Sequence, residues 1–398
     1  MMTVTGVTFS ITVVALTLAS QQYTPRVLRH FAADHGNQLV FGTFIGTFIY
    51  SLVVLRTVRA DEAGRFVPHV AITGGVVLAV ASLALLIYFI HHVAAMIQPS
   101  SIIERVSVAT SKLIDHLFPE KLGTGATLAE AVTEGGPREP GQGIAVPSCT
   151  TGYLQAVDLQ GLMRLAREED LLIRMERAVG DYIPCGAVLA TVFWAQRRPR
   201  ADLPECLNGC FAFGRDRTMQ QDPEYGVVQL SDIGVKALSP GINDPTTAMT
   251  CLDFLGALLL QLGQRHIPSR FRKDEEGDLR VIARGTDFAR MADLAFCQIR
   301  HYGEGDAEVT LHLVRTLTRL GAVLGHGPGQ QAVIKAHLEE IQAGMERGIR
   351  SSMKRRQIEQ HLDEAFTLLA AEKPPREESP EQCWRPEAWS PDNRRRVG

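Results

Sequence analysis

The residues best placed to do chemistry lie just before a predicted helix start at Asp222-Pro223. Arg215 and Arg217 put two guanidinium groups close to that start, and Glu224 follows in the first turn. The free N–H groups at a helix N-terminus favour negative charge, so together with two arginines they can bind a small anion. Asp222 and Glu224 can instead pair with the same arginines. The pattern favours this internal pairing, with a ligand site as the alternative.

A second Asp-Pro helix start occurs at Asp244. Asp is a preferred N-cap residue and Pro fits the first helical turn, so Asn243 and Asp244 are interpreted as capping residues, with ligand binding as the alternative. Loss of the Asp244 cap is expected to cost about 1 kcal/mol. The short connection at 239–243 predicts that helices over 223–238 and 245–262 pack antiparallel.

No catalytic or cofactor-binding motif accompanies these residues. The sequence has no phosphate-binding loop of the Gly-x-x-x-x-Gly-Lys-Ser/Thr type, no His-Glu-x-x-His zinc motif and no Gly-x-Ser-x-Gly nucleophile elbow. Cys206 and Cys210 have the spacing of half a zinc site, but no matching Cys or His pair follows. We therefore predict a non-enzymatic protein without catalytic residues, metal or cofactor.

Hydroxyl and glycine residues recur along the first 60 residues, which are strongly apolar. Gly42 and Gly46 form a small-xxx-small face of the kind that lets helices approach closely in lipid. In each of two predicted helices the hydroxyl side chains form one stripe. The first stripe consists of Thr5, Thr8 and Thr12, and the second consists of Thr43, Thr47 and Ser51. Helix packing is the favoured interpretation. A hydrated pore is the alternative, although no intramembrane charge supports it.

Three charge-free apolar segments in the first hundred residues carry these stripes. Each is close to the about 20 residues that a helix needs to cross a bilayer core. The segments are Thr3–Ser20, Leu39–Leu55 and Val70–Ile90, and they predict spans over about 3–20, 38–58 and 67–97. The chain is therefore expected to be a multi-pass membrane protein with the lipid bilayer as its first partner.

The orientation of the spans is predicted from the basic residues of the loops. Four arginines or lysines flank the spans on the side of the C-terminal region, and three flank them on the other side. Because cytoplasmic loops carry an excess of Lys and Arg, this difference favours an inner membrane protein whose C-terminal region is cytoplasmic. The seven cysteines lack the paired spacing of a disulfide scaffold, which agrees with a reducing compartment. A net charge of −3 argues against a nucleic-acid partner.

The soluble region divides into a β-containing part and a helical part. The predicted fold class is a membrane α-helical region of three spans (1–98) followed by a soluble α+β region. After the spans we expect an amphipathic helix over 101–117 and a flexible Gly/Pro-rich linker, within 99–148. The expected order thereafter is a small β-module (149–200), a mainly helical domain (201–372) and a disordered tail (373–398).

Several short segments together resemble a family of predicted bacterial integral membrane proteins, the domain-of-unknown-function family 2254. The resemblance rests on 239–248 (Ser-Pro-Gly-Ile-Asn-Asp-Pro-Thr-Thr-Ala), 22–26, 35–38, 42–44, 87–92 and 221–226. It implies an integral membrane protein with a soluble C-terminal region and no established activity. Relatives in that family usually carry an additional N-terminal span, so a shortened form or an upstream start is expected. With four spans both termini are expected in the cytoplasm, and with three the N-terminus faces outward.

Two functional hypotheses follow from these features. The first is a homo-oligomeric channel or transporter-like protein with a cytosolic sensing domain, for which the ion and the ligand stay open and a small anion is one candidate partner. The second is a membrane-anchored scaffold or regulatory protein that binds a cytosolic protein partner. Oligomeric state and ion flux distinguish them.

Overall fold

The computed structural model describes residues 35–57, 59–61, 64–66, 69–118, 142–194, 198–265, 267–324 and 328–371, and three single residues near the N-terminus. Those three, Gly6, Ser10 and Val14, are helical and exposed. The remainder of the predicted first span, including Thr5, Thr8 and Thr12, lies outside the described residues. So do most of the predicted linker (119–141) and the predicted tail.

Two long apolar helices form the membrane region that the structure describes. Helix α1 (His35–Thr57) has 23 residues, and α2 (His69–Ile97) has 29, with the short hairpin β1 (Arg59–Asp61) and β2 (Gly64–Phe66) between them. Both are long and apolar enough to cross a bilayer, over Gln38–Arg56 and His69–Ala94. The two helices pack through a small buried cluster of Val40, Phe44, Phe89 and Val93. Most other apolar side chains on them face outward, as expected of lipid-facing helices.

Helix α3 (Pro99–Leu117) follows α2 after the single residue Gln98. The next elements are the strands and short helices of the β-containing part. They are β3 (Gln142–Pro147), β4 (Gly152–Val157), α4 (Leu159–Glu168), β5 (Leu171–Met175), β6 (Tyr182–Ile183), β7 (Val188–Trp194), α5 (Leu203–Gly209) and β8 (Phe211–Gly214). Ile173 and Met175 alternate with Arg174 and Glu176, and this spacing predicts β5 because successive side chains of a strand point to opposite faces.

The helical part begins at α6 and contains one further β-hairpin. Its elements are α6 (Pro223–Ala237), α7 (Pro245–Gly263), β9 (Phe271–Lys273), β10 (Leu279–Ile282), α8 (Phe288–Gly303), α9 (Ala307–Leu324), α10 (Pro328–Gly348) and α11 (Ser352–Ala370). The predicted helices over 223–238 and 245–262 differ from α6 and α7 by a single residue at one end.

The strands form a five-stranded sheet, ordered β3-β7-β5-β10-β9, and a three-stranded sheet, ordered β6-β4-β8. In the larger sheet β10 pairs parallel with β5, with Val281 opposite Ile173, and all other neighbours are antiparallel. The hairpin of β9 and β10 lies within the residue range predicted to be helical. This later hairpin therefore completes the sheet that begins in the predicted β-module.

The end of the predicted flexible linker is also ordered. Residues 142–147 form β3, which pairs with β7 from Gln142 opposite Trp194 to Pro147 opposite Val188. The prediction missed this strand because its Gly and Pro content resembles that of a linker. Val146 is buried in the core of the sheet, and that burial favours the strand.

Helix α3 was predicted to link the membrane to the soluble region, and it is also a central helix of the helical core. It packs against α6 and α7, and its buried apolar residues Ile103, Val106 and Ile114 join the same cluster as Leu252 and Leu255. The predicted amphipathic helix over 101–117 thus buries its apolar side, with Ile114 fully buried.

Helix α7 is a third helix with the length and hydropathy of a membrane span. Its Ala248, Leu252, Leu255 and Leu259 are fully buried against α3, α6 and α9. A helix that is apolar on most sides is found in protein cores as well as in membranes. Its packing therefore accounts for its hydropathy without lipid.

Candidate functional site

A cavity of about 710 Å³ lies where the two sheets, the end of α3 and the first turns of α6 and α8 meet. Its walls combine apolar side chains with a concentration of arginines. The apolar lining includes Leu117, Phe118, Val157, Leu159, Met175, Val179, Ile267 and Pro268, and the arginines are Arg270, Arg272, Arg284 and Arg290. A pocket with apolar walls and a few convergent charged groups is the usual form of a small-molecule site.

Arg272 on β9 is the most unusual of these arginines. Its Nε is buried, and among the described residues it has no hydrogen-bond partner. Burial lowers the pKa of the Arg272 guanidinium because no carboxylate stabilises its charge. Arg270 and Arg284 form no ion pair among the described residues, but both are exposed to solvent, and the carboxylates of Asp181 and Asp287 also line the cavity. An anionic ligand would supply the partner that the buried Nε of Arg272 lacks.

The opposite wall of the cavity is internally neutralised. Arg217 makes two hydrogen bonds to Asp222, with Nε–Oδ2 at 2.6 Å and Nη2–Oδ1 at 3.1 Å. Arg290 Nε donates to Glu224 Oε1 at 2.7 Å. These pairs satisfy the acidic residues at the start of α6.

The Arg217–Asp222 pair is partly desolvated. Burial raises the pKa of the Asp222 carboxyl, and the hydrogen bond from Arg217 only partly offsets that effect. Burial alone would lower the pKa of Arg217, but its hydrogen bond to Asp222 outweighs burial and raises it. Asp222 also caps α6 by accepting a hydrogen bond from the Tyr225 N–H at 3.1 Å. One carboxylate thus fixes both the helix start and the arginine.

The β9–β10 hairpin that carries Arg272 is held by Arg280. The Arg280 guanidinium contacts Asp170 and Asp274 at 2.6 Å each and Asp278 at 3.2 Å. Gly277 allows the tight turn, since its φ of +90° lies in the region that favours glycine. This network ties the hairpin to the turn before β5 and positions the strand on which Arg272 lies.

The structure separates the six candidate ligand residues of the soluble region into two places. Asp222 and Glu224 line the cavity, Arg217 pairs with them, and Arg215 is exposed in the loop after β8. Asn243 and Asp244 lie at the other end of α6, whose 15 residues span about 22 Å. The two Asp-Pro starts therefore do not form one site.

At the second start, Asn243 has a left-handed φ of +50°, and Asp244 caps α7. The Asp244 carboxylate accepts hydrogen bonds from the Thr247 N–H at 3.1 Å and from the Thr247 hydroxyl at 2.6 Å. The geometry is that of a helix cap, and neither residue lines the cavity.

The candidate residues of the second span are placed on different faces of α1. Thr47 is buried, and its hydroxyl lies 3.1 Å from that of Ser82 on α2. The hydroxyls of Thr43 and Ser51 donate to carbonyls of their own helix. Gly42 and Gly46 are exposed, and no described side chain approaches the positions that their Cβ atoms would take. Thr47 therefore packs two helices together.

Sequence reasoning missed Arg270, Arg272 and Arg284. The alternation of Arg270 and Arg272 around Phe271 places both on one face of a strand, which is a usable signal. The strand is only three residues long, however, and it lies between long helices. The sequence alone gave no indication that this hairpin would close a cavity with α6 and α8.

Comparison with known proteins places the chain among membrane proteins without an assigned activity. Residues 1–319 match the family described as "Predicted membrane protein (DUF2254)". "Uncharacterized protein Mb1321c" of Mycobacterium bovis and "Uncharacterized protein Rv1290c" of Mycobacterium tuberculosis are each 36% identical over 326 residues, or 80% of this chain. The match spans 61% of the length of each relative. No solved structure matches the chain. From the family match and these relatives, the chain belongs to the DUF2254 family of predicted membrane proteins.

Proposed function

We propose that this protein is a non-enzymatic, multi-pass protein of the bacterial inner membrane whose cytoplasmic region senses a small anion. The observation that carries the proposal is the unpartnered, partly buried Arg272 in a cavity of about 710 Å³. A buried polar group without a partner costs free energy, and a charged group costs more. A bound anion removes that cost, which is why such a group is retained in a ligand site.

Helix α3 supplies a direct physical route from this cavity to the membrane. Its first residue follows α2 after one residue, and Leu117 at its last turn lines the cavity. Its 19 residues span about 28 Å, so a displacement at the cavity end moves the end attached to the span. This continuity favours a ligand-regulated channel or transporter-like protein over a simple anchor.

Oligomerisation is part of the proposal because the two spans that the structure describes enclose little space between them. The buried Thr47–Ser82 contact occupies the interface between α1 and α2, so a passage has to form between other helices. The exposed Gly42 and Gly46 provide a face on which a further helix can pack closely. A homo-oligomer is the simplest source of that helix.

Ligand sensing is tested on the full-length protein in detergent, by titrating inorganic phosphate, pyrophosphate and a long-chain carboxylate while monitoring thermal unfolding. A specific ligand raises Tm by mass action in the wild type. Arg272→Met should abolish that rise, and Arg215→Gln, which changes an exposed arginine outside the cavity, should leave it intact. Phosphate also stabilises proteins by exclusion from their surface, so an equal rise in all three proteins would refute the anion site.

The channel part of the proposal is tested separately by reconstitution in liposomes. A stable oligomer and an ion flux that the active anion changes would support it. A monomer without flux would reject it and favour the alternative, a membrane-anchored scaffold. In that case the purified full-length protein should recover a defined cytosolic partner in a pull-down, and recovery of none would count against the scaffold.

A further inference from the structure

A second cluster of chemically reactive side chains lies away from the cavity, between α8 and α10. Asp293 and Cys297 stand one turn apart on α8, and His337 projects from α10 towards them. One ligand atom of each of the three residues lies within 4.8 Å of the other two. Their donor types, a carboxylate oxygen, a thiol sulfur and an imidazole nitrogen, are all zinc ligands.

Two of the three separations within this cluster are close to those between neighbouring ligands of one metal ion. The His337 Nε2 lies 3.4 Å from Asp293 Oδ1, and the Cys297 Sγ lies 3.7 Å from the same oxygen. The nitrogen–oxygen separation is longer than an ordinary hydrogen bond. Zinc bonds of about 2.0–2.3 Å in tetrahedral geometry put neighbouring ligand atoms about 3.3–3.6 Å apart. Little movement is needed to bring the three atoms around one ion.

The side chain of His337 is held in place by the residues packed around it. His337 is 5% exposed, and its ring contacts that of Phe296 edge-on at a centroid distance of 5.9 Å. Asp293 is exposed, and Cys297 is half-buried, so an ion can enter from solvent. Glu340 lies one turn after His337 on the same helix and is a candidate fourth ligand, for which it has to leave its ion pair with Arg300 at 3.5 Å. Paired helices often build metal sites from residues spaced by one turn.

We propose that Asp293, Cys297 and His337 form a binding site for zinc or a similar thiophilic divalent ion, which joins α8 to α10. The motif search of the sequence could not find it, because the ligands come from two helices with all of α9 between them. The mixed sulfur, nitrogen and oxygen set favours such an ion over Mg²⁺ and Ca²⁺, which prefer oxygen ligands. The site is independent of the proposed anion cavity and of any channel activity.

The test uses Co²⁺ as a spectroscopic probe on the full-length protein in detergent, after treatment with a chelator that is then removed. Binding at this site gives a thiolate-to-cobalt charge-transfer band and the intense visible bands of four-coordinate cobalt, both displaced by Zn²⁺. Cys297→Ser should remove the charge-transfer band. His337→Gln should weaken binding by about 10- to 100-fold or more, since even residues that only orient metal ligands have effects of that size.

The other cysteines provide matched controls. Cys206→Ser and Cys210→Ser alter the pair that has the spacing of half a zinc site, and both should leave the cobalt spectrum unchanged. Thermal unfolding of Asp293→Asn separates a lost ligand from a folding defect. Without metal, the variant should unfold at the same Tm as the wild type. With Zn²⁺, it should lack the rise in Tm that the wild type shows. The proposal is overturned if the wild type gives no charge-transfer band, or if the band survives Cys297→Ser and disappears with Cys206→Ser.

Discussion

Replacing Arg280 by Met tests how the cavity wall is held together. The Arg280 side chain is 10% exposed, and it contacts two carboxylates in the turn of the β9–β10 hairpin and one in the turn before β5. Asp170 and Asp278 are more than half exposed, so their ion pairs contribute little in water. Asp274 is 3% exposed and accepts from Arg280 Nε at 2.6 Å. The cost of the substitution is therefore dominated by Asp274.

The magnitude follows from what remains around Asp274 after the change. Removing one partner of a buried ion pair typically costs about 3–5 kcal/mol, because the other charge is left uncompensated. Asp274 keeps hydrogen bonds from the backbone N–H groups of Glu276 and Asp278, at 3.1 and 2.9 Å, which offset part of that cost. We expect a loss of about 2–3 kcal/mol. For a region of this size that corresponds to a fall in Tm of about 4–12 °C.

The pH dependence gives the prediction a second readout. Burial would raise the pKa of Asp274, but hydrogen bonds from Arg280 and the backbone outweigh it and hold that pKa below its ordinary range. The pair therefore contributes stability above the unfolded-state pKa of about 4, and this contribution is lost as pH falls through the lower folded-state pKa.

Thermal unfolding of the wild type and Arg280→Met, measured from pH 7 to pH 3 in the same detergent, checks both points. The difference in Tm should be constant near neutrality and should narrow below about pH 4. Arg280→Lys keeps the charge and should fall between the two proteins. A loss below 1 kcal/mol near neutrality, or a difference that widens in acid, would refute the reasoning about Asp274.

Three further predictions concern packing and reactivity. Asp244→Ala removes the α7 cap and should lower the free energy of unfolding by about 1 kcal/mol, as measured by thermal unfolding. Because Asp244 does not line the cavity, a change in anion binding by this variant would contradict its structural role. Gly226→Ala puts a Cβ into the Thr110 side chain where α3 crosses α6, so we expect a loss of about 1–3 kcal/mol in the same assay. Burial strongly raises the pKa of the Cys251 thiol, so mass spectrometry after brief alkylation of the native protein should find Cys251 unmodified and the exposed Cys185 labelled.

The parts of the fold that the sequence predicts well are those with strong local signals. The Asp-Pro pairs mark the starts of α6 and α7, because capping and the restricted φ of proline act within one turn. The strands β5 and β7 lie within the predicted β-module, because Ile173 and Met175 alternate with polar residues and Val188–Trp194 is rich in β-branched and aromatic residues. These signals do not depend on distant parts of the chain.

The features that the sequence failed to predict depend on long-range contacts. The strand at 142–147 exists because β7 pairs with it, and β10 is a strand because β5 lies beside it. No local sequence pattern distinguishes the arginines that line the cavity from arginines on the solvent-exposed surface. By contrast, the pairing of Arg217 with Asp222 was the favoured interpretation of the sequence. Arg217 lies only five residues before Asp222, so its side chain can fold back onto the start of α6.

The buried hydroxyls of α3 bear on how a signal at the cavity could reach the spans. Ser107 and Ser111 are fully buried, and their Oγ atoms have no hydrogen-bond partner among the described residues, while Gly226 brings α6 close to Thr110. An interface of small side chains has few interdigitating atoms to resist sliding, and unpaired hydroxyls lower the cost of changing partners. Sliding of packed helices is one of the common forms of conformational change. Under the proposed function, a ligand that draws Leu117 towards Arg272 acts on α3, which is the helix joined directly to α2.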